Sequence, residues 1–564
     1  MDTRRSKTND GWNNRIEFYL TTHFEPLWRW IQRIPTLRRK VNKALINRAI
    51  LKTPTRPNPL STMVPYTSWS SLTDRTFDSR HLPPVPSGDR SYPDVKKTSD
   101  IFLRHGDGLQ CPKSTVLFAN FAQWFTDGFL RSDRSLPRDP RKNTSNHEID
   151  LSQLYGLNGE VTELLRTREG GLLKSQVING EEFPPYLCRD GVIKPEFQGL
   201  SVVDFDDLSD TQKNQLFAMG GNRGNSQTGY SMLNVLFLRE HNRVARLLGR
   251  NYPEWDDDRI FGTTRNILIV MLIKIVIGEY INHITPYNFK FFLDPSAFPN
   301  ERWYRQNWMA IEFNLLYRWH SLVPSTLRIN GESMPLDATL FNNEILTCHG
   351  LGTIFESSSD QAACRIGLFN TDPYLEEVER ASIIQAREVR LAPYNDYREI
   401  FSFPRVTGFD QISGDPAVQR ALRELYGRVD KVELYVGLFA EDLRPDSVLP
   451  SLMGRMVGVD ALSQALTNPL LAPRIFNEQT FTPLGLRLIQ QTHRLADIVN
   501  RNLPDGSRRY DVRMTRRDWR RGTPGPGNAP RVEPAPTRAS LYGTTLGNRM
   551  TTASTRLWRI TGGS

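Results

Sequence analysis

Tyr317 and His320 stand three residues apart in the stretch Ile311–Pro324, IEFNLLYRWHSLVP. On a helix, that spacing puts both side chains on one face with Cβ atoms roughly 5–6 Å apart. Two kinds of chemistry suit such a pair. An imidazole nitrogen can bind a metal, and a phenol one turn away can be redox-active. Against this stands plain packing, because isolated His and Tyr are common on half-buried helices. Taken alone, the stretch favours packing. The four cysteines, Cys111, Cys188, Cys348 and Cys364, are scattered with no CxxC pair. That pattern argues against a zinc site or a disulfide framework and for reduced thiols in the cytoplasm.

The elements that would have to position these groups are mainly helical. The chain has 564 residues and is 38% hydrophobic, enough for one large core with appendages. Helices are expected at 117–131, 229–249, 302–322, 377–391 and 484–502, with no run of alternating strands. The most apolar stretch, NILIVMLIKIVIGEYI (266–281), is too short and too charged, at Lys274 and Glu279, to span a bilayer. It reads as a central buried helix. Residues 55–100 are rich in Pro, Ser and Thr and read as extended chain laid over the body.

The formal charge of +10 is unevenly placed. Residues 1–50 carry +7 and residues 505–564 carry +8, so the main body is mildly acidic. Basic ends of this kind favour anionic surfaces. Residues 12–50 read as short amphipathic helices broken by Pro26 and Pro35. Phe24, Trp28, Trp30, Ile31 and Leu37 form one side, and Arg29, Arg33, Arg38, Arg39 and Lys40 the other. Aromatics with a basic rim suit an in-plane membrane segment, and a helical cap on the domain would look the same. From Pro504 the sequence turns to Gly, Pro and Arg without apolar periodicity and reads as a disordered basic tail. The start, MDTRRSKTND, has no apolar stretch of a secretory signal. Three units follow: membrane-binding helices at 1–50, a catalytic body at 51–503 and a tail at 504–564. The expected location is cytoplasmic and peripheral to a membrane.

Several segments together resemble one family. EFNLLYRWHSLVP is similar to the proximal-haem helix of the prostaglandin-endoperoxide synthases, within the animal haem peroxidase superfamily. LNVLFLREHNRVARLL resembles that family's second haem-pocket helix, and LFANFAQWFTDGFLRSD its distal helix. HEIDLSQLYG, KIVIGEYINHITPYNFKFFLDP, DKVELYVGLFAEDLRPD and LTNPLLAP follow in the family's order, and THFEPLWRWIQRIPTLR precedes them. The resemblance runs from about residue 15 to 503. It lacks the signal peptide and the small disulfide-rich module of animal members.

The resemblance implies a large single-domain, mainly α fold with haem b between two core helices and O2 as co-substrate. His320 matches the proximal iron ligand. Tyr317 matches the tyrosine that becomes a radical and abstracts hydrogen from a polyunsaturated fatty acid, whose carbon radical then traps O2. Tyr280 matches the phenol paired with it. Tyr287 and, across a one-residue gap, Arg48 match the pair that holds the substrate carboxylate, a charge-assisted contact for which arginine is suited. The implied partners are a fatty acid and a membrane surface, with no specific nucleic acid. A homodimer remains open, because the module that helps animal members pair is missing.

The departures concern the distal side. The family's distal helix reads Gln-x-x-x-His. Here Gln123 is present, but Asp127 stands in the place of the His. A carboxylate can shuttle a proton there only if burial raises its pKa. Weak peroxidase turnover is therefore expected. Ester linkage of Asp127 to haem is disfavoured, because members that form it carry the carboxylate ahead of the His. Arg223 lies 16 residues before Arg239, the spacing of a distal arginine in peroxidases of the superfamily. A Gly-rich turn with a surface arginine is the plainer reading of the same residues. Arg318 replaces a His of the animal YHWH motif, and Ala461 stands where their aspirin-acetylated serine does. The expected function is a haem-dependent fatty-acid dioxygenase. The alternatives are a haem peroxidase acting on phenols or halide, and a haem-binding protein without turnover.

Overall fold

The computed structural model describes residues 10–51, 74–86, 88, 91–133, 139–305 and 308–522. Residues 55–73 of the expected extended segment, and the tail beyond 522, lie outside the described residues.

Three N-terminal helices, α1 (Trp12–Thr22), α2 (Glu25–Arg33) and α3 (Pro35–Leu51), break at the two prolines seen in the sequence. Pro26 sits in the first turn of α2, where its missing N–H costs nothing. Their apolar residues differ in exposure along the expected face. Trp28 and Ile31 pack against the body, whereas Phe24, Leu27 and Trp30 are exposed, as are Trp12 and Tyr19 of α1. At about 100° per residue, Phe24, Leu27, Trp28, Trp30 and Ile31 lie side by side on one broad apolar face, one edge packed on the body and the other exposed.

The body is built on buried helices. Strand β1 (Gln110–Thr115) pairs antiparallel with a short partner, β2 (Ala362–Cys364), and leads into α4 (Val116–Asp127), which is buried along almost its whole length. Helix α5 (Thr228–Asn251) crosses α4, and Trp124 Nε1 donates to Asn234 Oδ1 at 2.8 Å between them. A Cβ at Gly229 would lie 2.3–2.5 Å from the Asn120 side chain, so only glycine lets the start of α5 come this close to α4.

Helix α6 (Asp257–Ile275) continues through a π turn (Val276–Tyr280) into Ile281–Ile284. The run Asp257–Ile284 is long and apolar enough to cross a membrane, yet 78% of its apolar window is buried within the protein. It is the central core helix expected from the sequence. The π turn carries one residue more than an α turn, a feature frequently found at functional sites.

Three further helices complete the frame of the site: α7 (Ile311–Leu316), α8 (Glu376–Glu388) and α9 (Leu434–Ala440). Helix α10 (Ser451–Leu466) packs on both α3 and α7. The helix expected at 302–322 is present only as α7. Tyr317 ends it with φ −101° and ψ 16°, and His320–Leu322 form a separate 3₁₀ turn.

The structure also corrects the expected start of the tail. Residues 504–522 lie on the body rather than apart from it. Val512 and Met514 are buried, Ser114 bridges to Thr515, and Thr115 N–H donates to the Met514 carbonyl at 3.0 Å.

Candidate functional site

A cavity open to solvent lies between α4 and the chain 317–324. Gln123 and Asp127 of α4 line one wall with Arg223, and Tyr317, Arg318, Trp319 and His320 line the other. Five of the residues singled out in the sequence, 123, 127, 223, 317 and 320, therefore meet in one place. Of α5, only its start contributes, through Gln227 at the N-cap and Tyr230. Arg239 lies elsewhere, paired with Glu181 at 2.7 Å.

On the distal wall, both oxygens of Asp127 are engaged. Arg223 Nη1 donates to Oδ1. Arg131 Nη1 and the Tyr230 hydroxyl donate to Oδ2 at 2.9 and 2.5 Å. Burial alone would raise the Asp127 pKa. Arg131 and Arg223, with the Tyr230 hydroxyl, outweigh it and hold the carboxyl below its ordinary value. Asp127 is thus a fixed anion, and the condition under which it would shuttle protons at neutral pH is not met. Arg223 is buried, so the surface-arginine reading does not hold, and its charge faces Asp127. Gln123 Oε1 accepts from Gln227 Nε2 at 2.8 Å.

On the opposite wall, the geometry is aromatic. Tyr317 stacks on Trp319 at 4.6 Å, and Trp319 stacks on Phe118 at 5.8 Å. Phe118 also stacks on Tyr280 at 5.4 Å. The π turn delivers Tyr280 to this cluster. Burial raises the pKa of both tyrosines well above the ordinary phenol value. The Tyr280 hydroxyl partly offsets the rise at Tyr317. The two hydroxyls face each other closely enough to act as a hydrogen-bonding pair on each other's pKa, although the contact is not well aligned. Asp460 of α10, bonded to His81 Nε2 at 2.8 Å, adds a negative charge that further raises Tyr317.

The lining fits a haem. A buried imidazole faces polar side chains across a gap whose sides carry Val116, Ala119, Leu130 and Leu336. His320 Nδ1 is turned to Glu379 at 3.1 Å, which leaves Nε2 as the nitrogen for a metal.

Arg48 and Tyr287 are not in direct contact among the described residues. Arg48 Nη2 lies 3.3 Å from Glu17 Oε2, and its side chain is 54% exposed. Tyr287 is half-buried, and its carbonyl accepts from Arg521 Nη2 at 3.1 Å. Both act on a third residue, Arg455 of α10. Burial first, and then the positive charges of Arg444 and Arg48, lower its pKa to about 10 against the opposing effect of Tyr287. Arg455 donates to Asn14 Oδ1 at 3.2 Å and lies 5.0 Å over the Phe403 ring. The more deeply buried cation at this end is Arg455.

Sequence reasoning missed Arg131, Tyr230, Trp319, Glu379 and Arg455. Arg131 follows Asp127 by four residues, an ion-pair spacing that was available to be read. Arg455 stands alone in an apolar helix, which was also a signal.

Residues 84–513 match the model of the animal haem peroxidase family. The chain is 34% identical over 485 residues to prostaglandin G/H synthase 2 of Equus caballus, covering 84% of this chain and 78% of that protein. Among solved structures, fatty acid alpha-dioxygenase of Oryza sativa superposes with a TM-score of 0.65 at 18% identity, covering 88% of this chain and 97% of that one. Peroxidase A from Dictyostelium discoideum superposes with a TM-score of 0.64 at 19% identity, covering 82% and 99%. At these identities, the two structures speak to the fold alone.

Proposed function

Because the chain belongs to the animal haem peroxidase family, we propose that it is a haem-dependent dioxygenase that uses a Tyr317 radical to oxygenate a polyunsaturated fatty acid. The observation that carries this is the placement of Tyr317 and His320 on one short segment lining one cavity wall. Bound at His320 through Nε2, haem b would supply the oxidising power. Tyr317 then gives up one electron and one proton. Its aromatic surroundings exclude water, so the phenoxyl radical is spent on substrate. The radical takes a hydrogen atom from an activated carbon, and O2 adds to the carbon radical. The peroxyl product takes one hydrogen atom back from Tyr317, which leaves a lipid hydroperoxide and restores the radical. An endoperoxide arises if the peroxyl first closes on a neighbouring double bond.

Tyr280 sets its hydroxyl beside that of Tyr317, where each shifts the other's pKa. Arg48 and Tyr287, with Arg455 beside them, hold the substrate carboxylate, where a guanidinium gives a charge-assisted bond. The exposed Trp12, Tyr19, Phe24, Leu27 and Trp30 form the surface for peripheral membrane contact, from which a lipid substrate enters. Peroxidase turnover is weak in this reading, because Asp127 is held as an anion by two arginines.

The test is oxygen uptake by haem-loaded protein on a panel of C18–C20 polyunsaturated acids, beside Tyr317→Phe. Uptake with at least one acid, lost in the variant, is expected. No uptake with any acid by wild-type protein carrying haem overturns the proposal. A second reading, a peroxidase of small phenols, is favoured by Arg223 and Gln123 lining the cavity. Steady phenol oxidation by hydrogen peroxide, unaffected by Tyr317→Phe, would select it.

A further inference from the structure

The proposed iron bond leaves one nitrogen of His320 unused. Its Nδ1 lies 3.1 Å from Glu379 Oε1. The contact is not aligned as a hydrogen bond in this setting of the ring, and Nδ1 stands among the buried nitrogens without a hydrogen-bond partner. A buried ring nitrogen this close to a carboxylate needs only a rotation of the imidazole to complete the bond.

Glu379 is built to be there. It is fully buried on α8. Thr371 Oγ1 donates to its Oε1 at 2.9 Å, and the Tyr435 hydroxyl of α9 donates to its Oε2 at 2.7 Å. Two hydroxyls from two other segments thus fix both oxygens and leave a lone pair of Oε1 for the imidazole. Among the described ion pairs, Glu379 faces His320 alone. Arg318, on the same segment as His320, donates to Gln385 of α8 at 3.1 Å and so ties that segment to the helix that carries Glu379.

We infer that Glu379 is the positioning residue of the haem ligand, accepting the Nδ1 proton of His320 and making its Nε2 a stronger donor to iron. The inference rests on His320 being that ligand. Carboxylates that accept from a ligating histidine fix its tautomer and raise its basicity. A more basic axial ligand lowers the reduction potential of the iron and favours cleavage of a bound O–O bond. In this chain, such an effect from the proximal side would stand in for the acid–base group that the distal side lacks. It also answers how a hydroperoxide can start the Tyr317 radical when Asp127 is locked in ion pairs.

The test uses the full chain loaded with haem. Resonance Raman of the ferrous form gives the iron–histidine stretch, and redox titration gives the midpoint potential. Glu379→Gln keeps the size but removes the charge and one of the two acceptor oxygens. It is expected to lower the stretch frequency, raise the midpoint potential and slow reaction with a lipid hydroperoxide by about 10–100-fold. Tyr435→Phe frees the carboxylate from one donor and is expected to move the stretch the opposite way. Opposite shifts in the two variants support the inference, and a purely structural role would produce neither. An iron–histidine band at one frequency in all three proteins overturns it while leaving the ligand assignment intact. A haem spectrum unchanged in His320→Gly would instead sink the ligand assignment. Should Glu379→Gln fail to hold haem, Glu379→Asp and Tyr435→Phe carry the same test: a band unmoved in both overturns the inference.

Discussion

The two walls of the cavity treat their polar groups in opposite ways. On the distal wall, the Asp127 carboxylate is saturated by Arg131, Arg223 and Tyr230. On the facing wall, the hydroxyls of Tyr317 and Tyr280, the indole nitrogen of Trp319 and Nδ1 of His320 are all buried without a hydrogen-bond partner. A buried polar atom left unpaired costs about 1–3 kcal/mol, so a cluster of four is not a neutral feature of a core. The two arginines each keep one unpaired Nε, so the distal lock is complete for the carboxylate only. The difference teaches where change is permitted. One wall is held by charge and stays as it is, and the other carries loosely paired polar groups, with His320 Nδ1 turned to Glu379.

The largest expected effect falls on the open wall. Tyr317→Phe should reduce fatty-acid oxygen uptake to background with haem content unchanged; residual uptake above a tenth of wild type would show that another residue carries the radical. On the closed wall, Asp127→Asn strands two buried guanidinium groups. It should destabilise the protein by about 3–5 kcal/mol in denaturant titration, and a loss under 1 kcal/mol would mean that the lock carries no load.

The same pair of proteins gives a pH test. Asp127 has a folded pKa below its ordinary value, so its stabilisation is present above about pH 4 and is lost as pH falls through the lower folded pKa. The stability gap between wild type and Asp127→Asn should stay constant from pH 8 to 5 and close only below pH 4. A gap that closes near pH 6 would mean a raised pKa and return Asp127 to the role of proton shuttle.

A smaller effect of opposite sign is expected from Tyr280→Phe. Removing an unpaired buried hydroxyl should leave stability unchanged or raise it by up to about 1 kcal/mol. A loss of 2 kcal/mol would show a hydrogen bond that the two phenols make after all. The smallest folding effect belongs to the surface. Leu27→Ser with Trp30→Ser should shift stability by about 0.5 kcal/mol or less, yet abolish sedimentation with anionic vesicles. Retained sedimentation would remove α2 from the membrane contact.

The sequence made the closed wall readable in part and the open wall only in outline. Gln123, Asp127 and Arg223 were found through the family resemblance, but the fate of Asp127 depended on Arg131, just past the end of α4, and Tyr230 of α5. Tyr317 and His320 were found, but as one helical face. Apolar periodicity continues through YRWHS, and nothing in it marks the break after Leu316. The break goes with tertiary stacking of Trp319 between Tyr317 and Phe118. Glu379 was hidden for another reason. It lies in EEVER, where its neighbours Glu376 and Glu377 read as an ordinary solvated first turn, and only packing separates the buried acid from them. The tail was misjudged from its arginines. Tyr510, Val512 and Met514 alternate with polar residues, which is the period of a strand laid on a surface.

The π turn before Tyr280 has a consequence of its own. An added residue rotates whatever follows it by about 100° about the helix axis. Substitutions at Val276–Glu279 change what fills a direction, whereas the count of residues there sets the direction in which Tyr280 points. The phenol is therefore aimed by an inserted length of chain. Exchange of residues along the turn keeps it aimed at Tyr317, while loss of any one of them, Gly278 included, would swing it away.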